Sequence, residues 1–75
     1  MKRIVEKQSE AVVRRDYPLT GGPAGWYFRI REVSNSVFLV EGTDLWGRTV
    51  SRKGVDEEAL LALCAADARA INAQL

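Results

Sequence analysis

The sequence predicts an α+β fold, in which a small antiparallel β-meander of three to five strands packs against one C-terminal α-helix. Residues 1–53 contain short stretches of alternating apolar and polar residues, separated by turn residues, which is typical of strands. Residues 55–75 are rich in Ala and Leu and contain no Gly or Pro, which is typical of a helix. Strands that precede a helix, rather than alternate with helices, indicate the α+β class.

The first part of the chain is expected to hold two strands, Arg3–Lys7 and Ala11–Tyr17. The segment 18–25 contains three glycines and two prolines, so we expect no regular element there. It lacks the Gly-Lys-Ser/Thr ending of a phosphate-binding loop, and a strand rather than a helix follows it. A flexible connection is therefore expected, with a mobile recognition loop as the alternative.

A central hairpin is predicted from the alternation that begins at Trp26. The first strand is Trp26–Val33, a turn follows at Ser34–Ser36, and Val37–Glu41 forms the second strand. Strand geometry separates two rows of side chains, one formed by Trp26, Phe28 and Ile30 and the other by Tyr27, Arg29 and Arg31. The first row is expected to face the helix.

A third strand is predicted over Arg48–Lys53, after a turn at Gly42–Asp44 and a connection that contains Leu45 and Trp46. A large aromatic residue such as Trp46 in a connection either covers the edge of the sheet or anchors a binding partner. The first role is the more common, and the buried area would help so small a core.

The helix is predicted over residues 56–73. Asp56 suits the N-cap position, and two glutamates in the first turn complement the positive end of the helix dipole. An apolar stripe recurs at spacings of three and four, and it comprises Leu60, Cys64, Ala68, Ile71 and Leu75. Leu61 and Leu63 widen this stripe, and we expect Leu60, Leu63 and Ile71 to lie in the core.

Composition narrows the range of functions. A chain of 75 residues is expected to form one domain, 1–75, and its net charge of +1 does not favour a strongly basic nucleic-acid module. The sequence has no His, and its one Cys, Cys64, lies on the apolar stripe, where we expect a buried small side chain rather than a nucleophile. Carboxylates are scattered without metal-ligand spacing. We therefore expect no enzyme activity, no cofactor and no metal.

Targeting signals are also lacking. The residues after Met1-Lys2-Arg3 are not an apolar stretch, and no window approaches the length of a membrane helix. One Cys argues against a disulfide-bonded secreted scaffold. The expected location is therefore the cytoplasm, with no membrane association.

Basic residues are concentrated before the helix. Residues 1–53 hold ten Lys and Arg against six Asp and Glu, whereas residues 55–75 hold one Arg against four acids. Arg and Tyr on an open sheet face are typical of protein interfaces and of platforms for single-stranded nucleic acid. A plain solvated face, with ion pairs to Glu32 and Glu41, is the third interpretation.

The expected function is that of a small, non-enzymatic, bacterial-type interaction module. Such a module would bind a protein partner through the open sheet face and adjoining loops, and the residues expected to carry binding are Tyr27, Arg29, Arg31 and Trp46. An inhibitor or immunity-type role is one form of this function. The alternative is a weak binder of single-stranded nucleic acid that uses the same face.

Self-association is a further expectation. One helix is too narrow to cover a four-stranded sheet, so part of the sheet stays open. Val12, Val33 and either Val37 or Phe38 are candidates for this open surface. With little net charge to separate two copies, a symmetric homodimer is expected at high protein concentration.

Overall fold

The computed structural model describes residues 7–74. In chain order its elements are α1 (Glu10–Asp16), β1 (Trp26–Ser34), β2 (Val37–Asp44), β3 (Thr49–Gly54) and α2 (Glu57–Ala73). The strands form one antiparallel sheet in the order β1-β2-β3, and α2 packs on it. The predicted α+β class is confirmed, with three strands among the described residues. Neither described helix combines the length and the apolar character that crossing a membrane requires.

A tight turn between β1 and β2 sets the pairing of these two strands. Asn35 and Ser36 form the turn between β1 and β2, where Ser36 takes a positive φ of 61° and its amide donates to the Glu32 carboxylate at 2.9 Å. A bulge between Glu32 and Ser34 adjusts the pairing beside this turn. Further along, Phe28 lies opposite Gly42, which in turn lies opposite Val50.

The core lies between the sheet and α2. It is formed by the buried residues Trp26, Phe28, Val40, Val50, Leu60, Cys64 and Ala68. Ile30 and Ile71 pack against this cluster from its border. The predicted separation of the two rows of β1 is therefore confirmed, because the row that begins at Trp26 faces the helix.

Helix α2 begins as predicted. The Asp56 side chain accepts a hydrogen bond from the Ala59 amide at 3.1 Å, which satisfies a free donor of the first turn. The buried positions Leu60, Cys64 and Ala68 repeat every four residues along one stripe. The expectation that Leu63 belongs to the core is wrong, since it lies three positions after Leu60 on the far border of this stripe and is 45% exposed.

The predicted turn at Gly42–Asp44 is also wrong, because these residues belong to β2 and the turn follows at Leu45, Trp46 and Gly47. Gly42 is needed here for space rather than for a turn. A Cβ at this position would lie 2.5 Å from the Phe28 ring, which crosses the strand directly above the glycine. Glycine inside a strand commonly marks such a close approach.

Ala11–Tyr17 is a helix and not the predicted strand. Residues 10–16 form α1, whose buried residue, Val13, faces the sheet. A helix of seven residues has little stability by itself, so contact with β1 stabilises it and overrides the local preference. Of the strand predicted at Arg3–Lys7, residues 3–6 lie outside the described residues, and Lys7 is not part of a strand.

We expect Leu60→Ala to lower the free energy of unfolding by about 2–5 kcal/mol, because it removes a side chain from the core. Leu63→Ala is the matched control in the same helix, and its exposed side chain predicts a change within about 0.5 kcal/mol. Urea unfolding of both variants measures the difference. Equal losses would contradict the orientation of α2.

We expect Gly42→Ala to destabilise the protein by about 1–3 kcal/mol, because the added methyl group overlaps the Phe28 ring. Phe28→Leu in the same chain relieves the overlap, so the double variant should lose less than the sum of the two single variants. A double-mutant cycle from chemical denaturation measures this coupling. Strict additivity would show that the two residues do not compete for space.

Candidate functional site

The sheet face opposite α2, called here the outer face, is covered at one end by α1. Tyr27 lies beneath this helix and is 8% exposed, with Val13 also buried. Burial raises the pKa of the Tyr27 hydroxyl, and the nearby Glu10 carboxylate adds to this effect. The expectation that Tyr27 stands on an open face is therefore wrong, because α1 replaces the strand predicted there and lies over it.

The middle of the outer face is an ion-pair network centred on Glu41. This carboxylate accepts from Arg29 Nε at 3.0 Å and lies 3.3 Å from Arg31 Nε. The guanidinium carbon of Arg29 also lies 4.4 Å from the centre of the Tyr17 ring, a cation–π arrangement. Hydrogen bonding to Glu41 raises the pKa of Arg29. Both predicted arginines thus share Glu41, as the interpretation of a face with cross-strand ion pairs expects. Glu32, the other acid expected to pair, instead accepts from the Ser36 amide.

The far end of the outer face, away from α1, carries an apolar group with a basic border. Strand alternation places Val37 and Leu39 on this side, and Val33, in the bulge of β1 beside them, is 42% exposed. Arg31 and Lys53 lie opposite Leu39 on its two neighbouring strands. We call these five residues the outer patch. No described element packs on it, because α1 contacts β1 at its other end, where Glu10 lies near Tyr27.

The outer patch includes two residues that sequence reasoning did not select, Leu39 and Lys53. Their signal was available in the alternation, since Leu39 shares the parity of Val37 and Glu41. Of the two candidates offered for this surface in the second strand, Val37 lies on the outer face whereas Phe38 packs against the core. Val12 and Val33 are both exposed, but Val12 lies on α1 and not on the sheet surface that was predicted for it.

Trp46 stands apart from the outer patch, in the turn between β2 and β3. Its side chain is 49% exposed and does not enter the core, so the role of covering the sheet edge is not the one seen. The Lys7 ammonium lies 6.0 Å from the centre of its ring. The structure therefore divides the four predicted binding residues among a buried position, the Glu41 network and a separate turn.

The turn that carries Trp46 is organised by Asp44, which is 2% exposed. One carboxylate oxygen accepts from the backbone amides of Trp46 and Arg48, each at 2.9 Å, and the other accepts from Arg48 Nε. A buried carboxylate is stable here because its acceptor sites are filled by three donors.

Cys64 is fully buried in α2, and its thiol points at the carbonyl oxygen of Val40 from 3.6 Å. Burial raises the pKa of this thiol, and the charge of Asp67 adds to the effect. A thiol with a raised pKa and no exposure is a weak nucleophile. Among residues 7–74, no group of three or more acidic or Cys side chains is arranged to hold a metal ion.

Comparison with models of protein families, with curated proteins and with solved structures found no match for this chain. Function is therefore argued from the residues and their geometry.

We expect the native protein to react with a thiol reagent far more slowly than the chain in denaturant, because Cys64 has no exposed surface. A variant that combines Cys64→Ala with Ala66→Cys moves the thiol to an exposed position of the same helix and should react rapidly when folded. With a reagent that releases a coloured thiolate, the absorbance gives the labelling rates of the wild type and of this variant. Rapid labelling of native Cys64 would contradict its burial.

Proposed function

We propose that this chain is a non-enzymatic interaction module that binds a protein partner through the outer patch. The observation that carries the proposal is an apolar group on a strand surface that no described element covers. An apolar centre with a polar, charged border is the usual arrangement of a protein interface. The aliphatic stems of Arg31 and Lys53 at the border add contact area, and their end groups add charge.

The charge of the outer face favours an acidic partner. Arg29 and Arg31 share the single carboxylate of Glu41, and Lys53 forms no ion pair among the described residues. These four side chains leave a surplus of two positive charges. A partner with acidic groups around an apolar surface fits this distribution.

The same surplus bears on the proposed symmetric homodimer. A two-fold axis through the outer patch would bring Arg31 and Lys53 of one copy near the equivalent cations of the other. Like charges at such close range oppose association. We therefore favour a different protein over a second copy, which agrees with an inhibitor-type role.

Binding of single-stranded nucleic acid is the second candidate, and the basic surplus is the observation in its favour. Platforms of that kind stack bases on exposed aromatic rings. On this sheet Tyr27 is buried, and the Tyr17 ring carries Arg29. Phosphate attraction would remain, without the stacking that usually accompanies it.

Site-specific photo-crosslinking tests the protein-binding proposal. A photoreactive side chain at Val33 should yield a defined protein adduct in extract of the source cells, whereas one at the exposed Ala66 of α2 should not. Arg31→Glu or Lys53→Glu should abolish the adduct, and Arg69→Glu, the matched charge change on α2, should leave it intact. An adduct that forms equally at both positions, or survives both patch variants, would overturn the proposal.

Two further measurements test whether a second copy of the chain or a single-stranded nucleic acid binds the outer patch instead. Sedimentation of the wild type and the same variants over a hundredfold range of concentration detects a homodimer. If the outer patch forms that dimer, Arg31→Glu should dissociate it and Arg69→Glu should not. Fluorescence anisotropy with a labelled oligothymidine at several salt concentrations detects nucleic-acid binding, in which affinity falls steeply with salt. Tight, strongly salt-dependent binding that both patch variants remove would overturn the protein-partner proposal in favour of the second candidate.

A further inference from the structure

A cavity of about 190 Å³ opens beside Trp46, at the end of the molecule away from the outer patch. It lies where the β2–β3 turn, the segment before β1 and the last turn of α2 meet. Its polar and aromatic lining comprises Lys7, Trp26, Asp44, Trp46, Arg48 and Asn72. None of these residues belongs to the outer patch, so the cavity is independent of the function proposed above.

The charges that line the cavity are unequal. Of the lining residues that the structure describes, Lys7 and Arg48 are cationic and Asp44 is the one carboxylate. Asp44 is almost fully buried, and both its oxygens already accept hydrogen bonds from the turn and from Arg48. Its acceptor capacity is therefore directed into the protein, and the lining keeps one net positive charge.

One nitrogen of the Arg48 guanidinium has no hydrogen-bond acceptor among the described residues. While Nε bonds to Asp44, Nη1 is the one buried side-chain nitrogen or oxygen among the described residues that has no hydrogen-bond partner. A buried N–H without an acceptor is costly, so this nitrogen favours negative charge near Arg48, while its burial keeps it from direct contact with a ligand in the cavity.

Asn72 supplies a further donor. The indole nitrogen of Trp26 can only donate, and it lies 3.1 Å from Asn72 Oδ1, which fixes this oxygen as the acceptor. The amide NH₂ of Asn72 thus forms no hydrogen bond with other described side chains. With Lys7 and Arg48, the cavity lining is rich in donors and poor in free acceptors.

We propose that this cavity binds a small oxyanion, either a carboxylate or a phosphate. The ligand oxygens would accept from Lys7, Asn72 and the accessible part of the Arg48 guanidinium, whose side chain is 30% exposed, and a guanidinium suits either anion. The volume is that of roughly six water molecules, which is enough room for a single anionic group. The half-exposed ring of Trp46 at the rim offers a surface for the apolar part of a larger ligand.

Titration with sodium acetate and with inorganic phosphate at constant ionic strength tests this site. Trp26 and Trp46 both line the cavity, so their fluorescence reports occupancy directly. Saturation by at least one of the two anions is the expected result. Saturation by phosphate alone identifies a phosphate site, saturation by acetate alone identifies a carboxylate site, and linear responses to both anions would overturn the proposal.

Charge-matched variants locate the binding. Lys7→Gln should raise the dissociation constant of the anion by about fivefold, as expected for loss of one exposed ionic contact. Lys53→Gln, which removes the same charge from the outer patch, should leave the constant unchanged. Equal weakening in both variants would show that only overall charge matters and would overturn the proposal. Arg31→Glu reverses a charge of the outer patch and leaves the residues of the cavity unchanged. Normal anion binding by this variant would therefore show that the cavity acts independently of the protein-binding surface.

Discussion

The structure depends on the packing of one aromatic ring, that of Phe28, against backbone without side chains. A Cβ at Gly42 would lie 2.5 Å from the ring, and one at Gly22 would lie 2.7 Å from it and 3.4 Å from the Cβ of Ala65 in α2. The main chain of Phe28 also exchanges two hydrogen bonds with Leu19. The same residue therefore holds the Gly- and Pro-containing segment, the central strand and the helix together. Local sequence preferences in that segment oppose order, so this tertiary contact supplies it.

The sequence was sufficient to predict the elements whose local signals agree with their tertiary role. In α2, an N-cap at Asp56, a favourable composition and a stripe through Cys64 all indicate the same helix, which the structure contains. The predictions that failed depend on contacts distant in sequence. Gly42 resembles a turn residue until the position of the Phe28 ring is known, and the helix containing Val13 is too short to be recognised without the sheet that stabilises it.

The candidate site shows the same division. Alternation along β1 correctly placed Arg29 and Arg31 on one face, and Glu41 was one of the two acids expected to pair with them if the face were simply solvated. Tyr27 shares that parity, yet it is buried because an element that was assigned to the wrong class lies over it. The cavity beside Trp46 could not be foreseen at all. It is formed by residues from four separate segments, and its unpaired Arg48 nitrogen has no signature in a linear pattern.

Among the described residues, helix α2 supplies every member of the core cluster beneath it that lies outside the sheet, namely Leu60, Cys64 and Ala68. If the helix separates from the sheet, Phe28 and Val40 meet water at once, so a partly open form that keeps an intact sheet would lack its main source of stability. Sheet and helix are thus expected to open as one cooperative unit, with similar hydrogen-exchange protection for the amides of β2 and of the middle of α2. Any ligand that recognises the strand geometry of the outer face therefore also stabilises the docking of a helix on the opposite side, which it never touches.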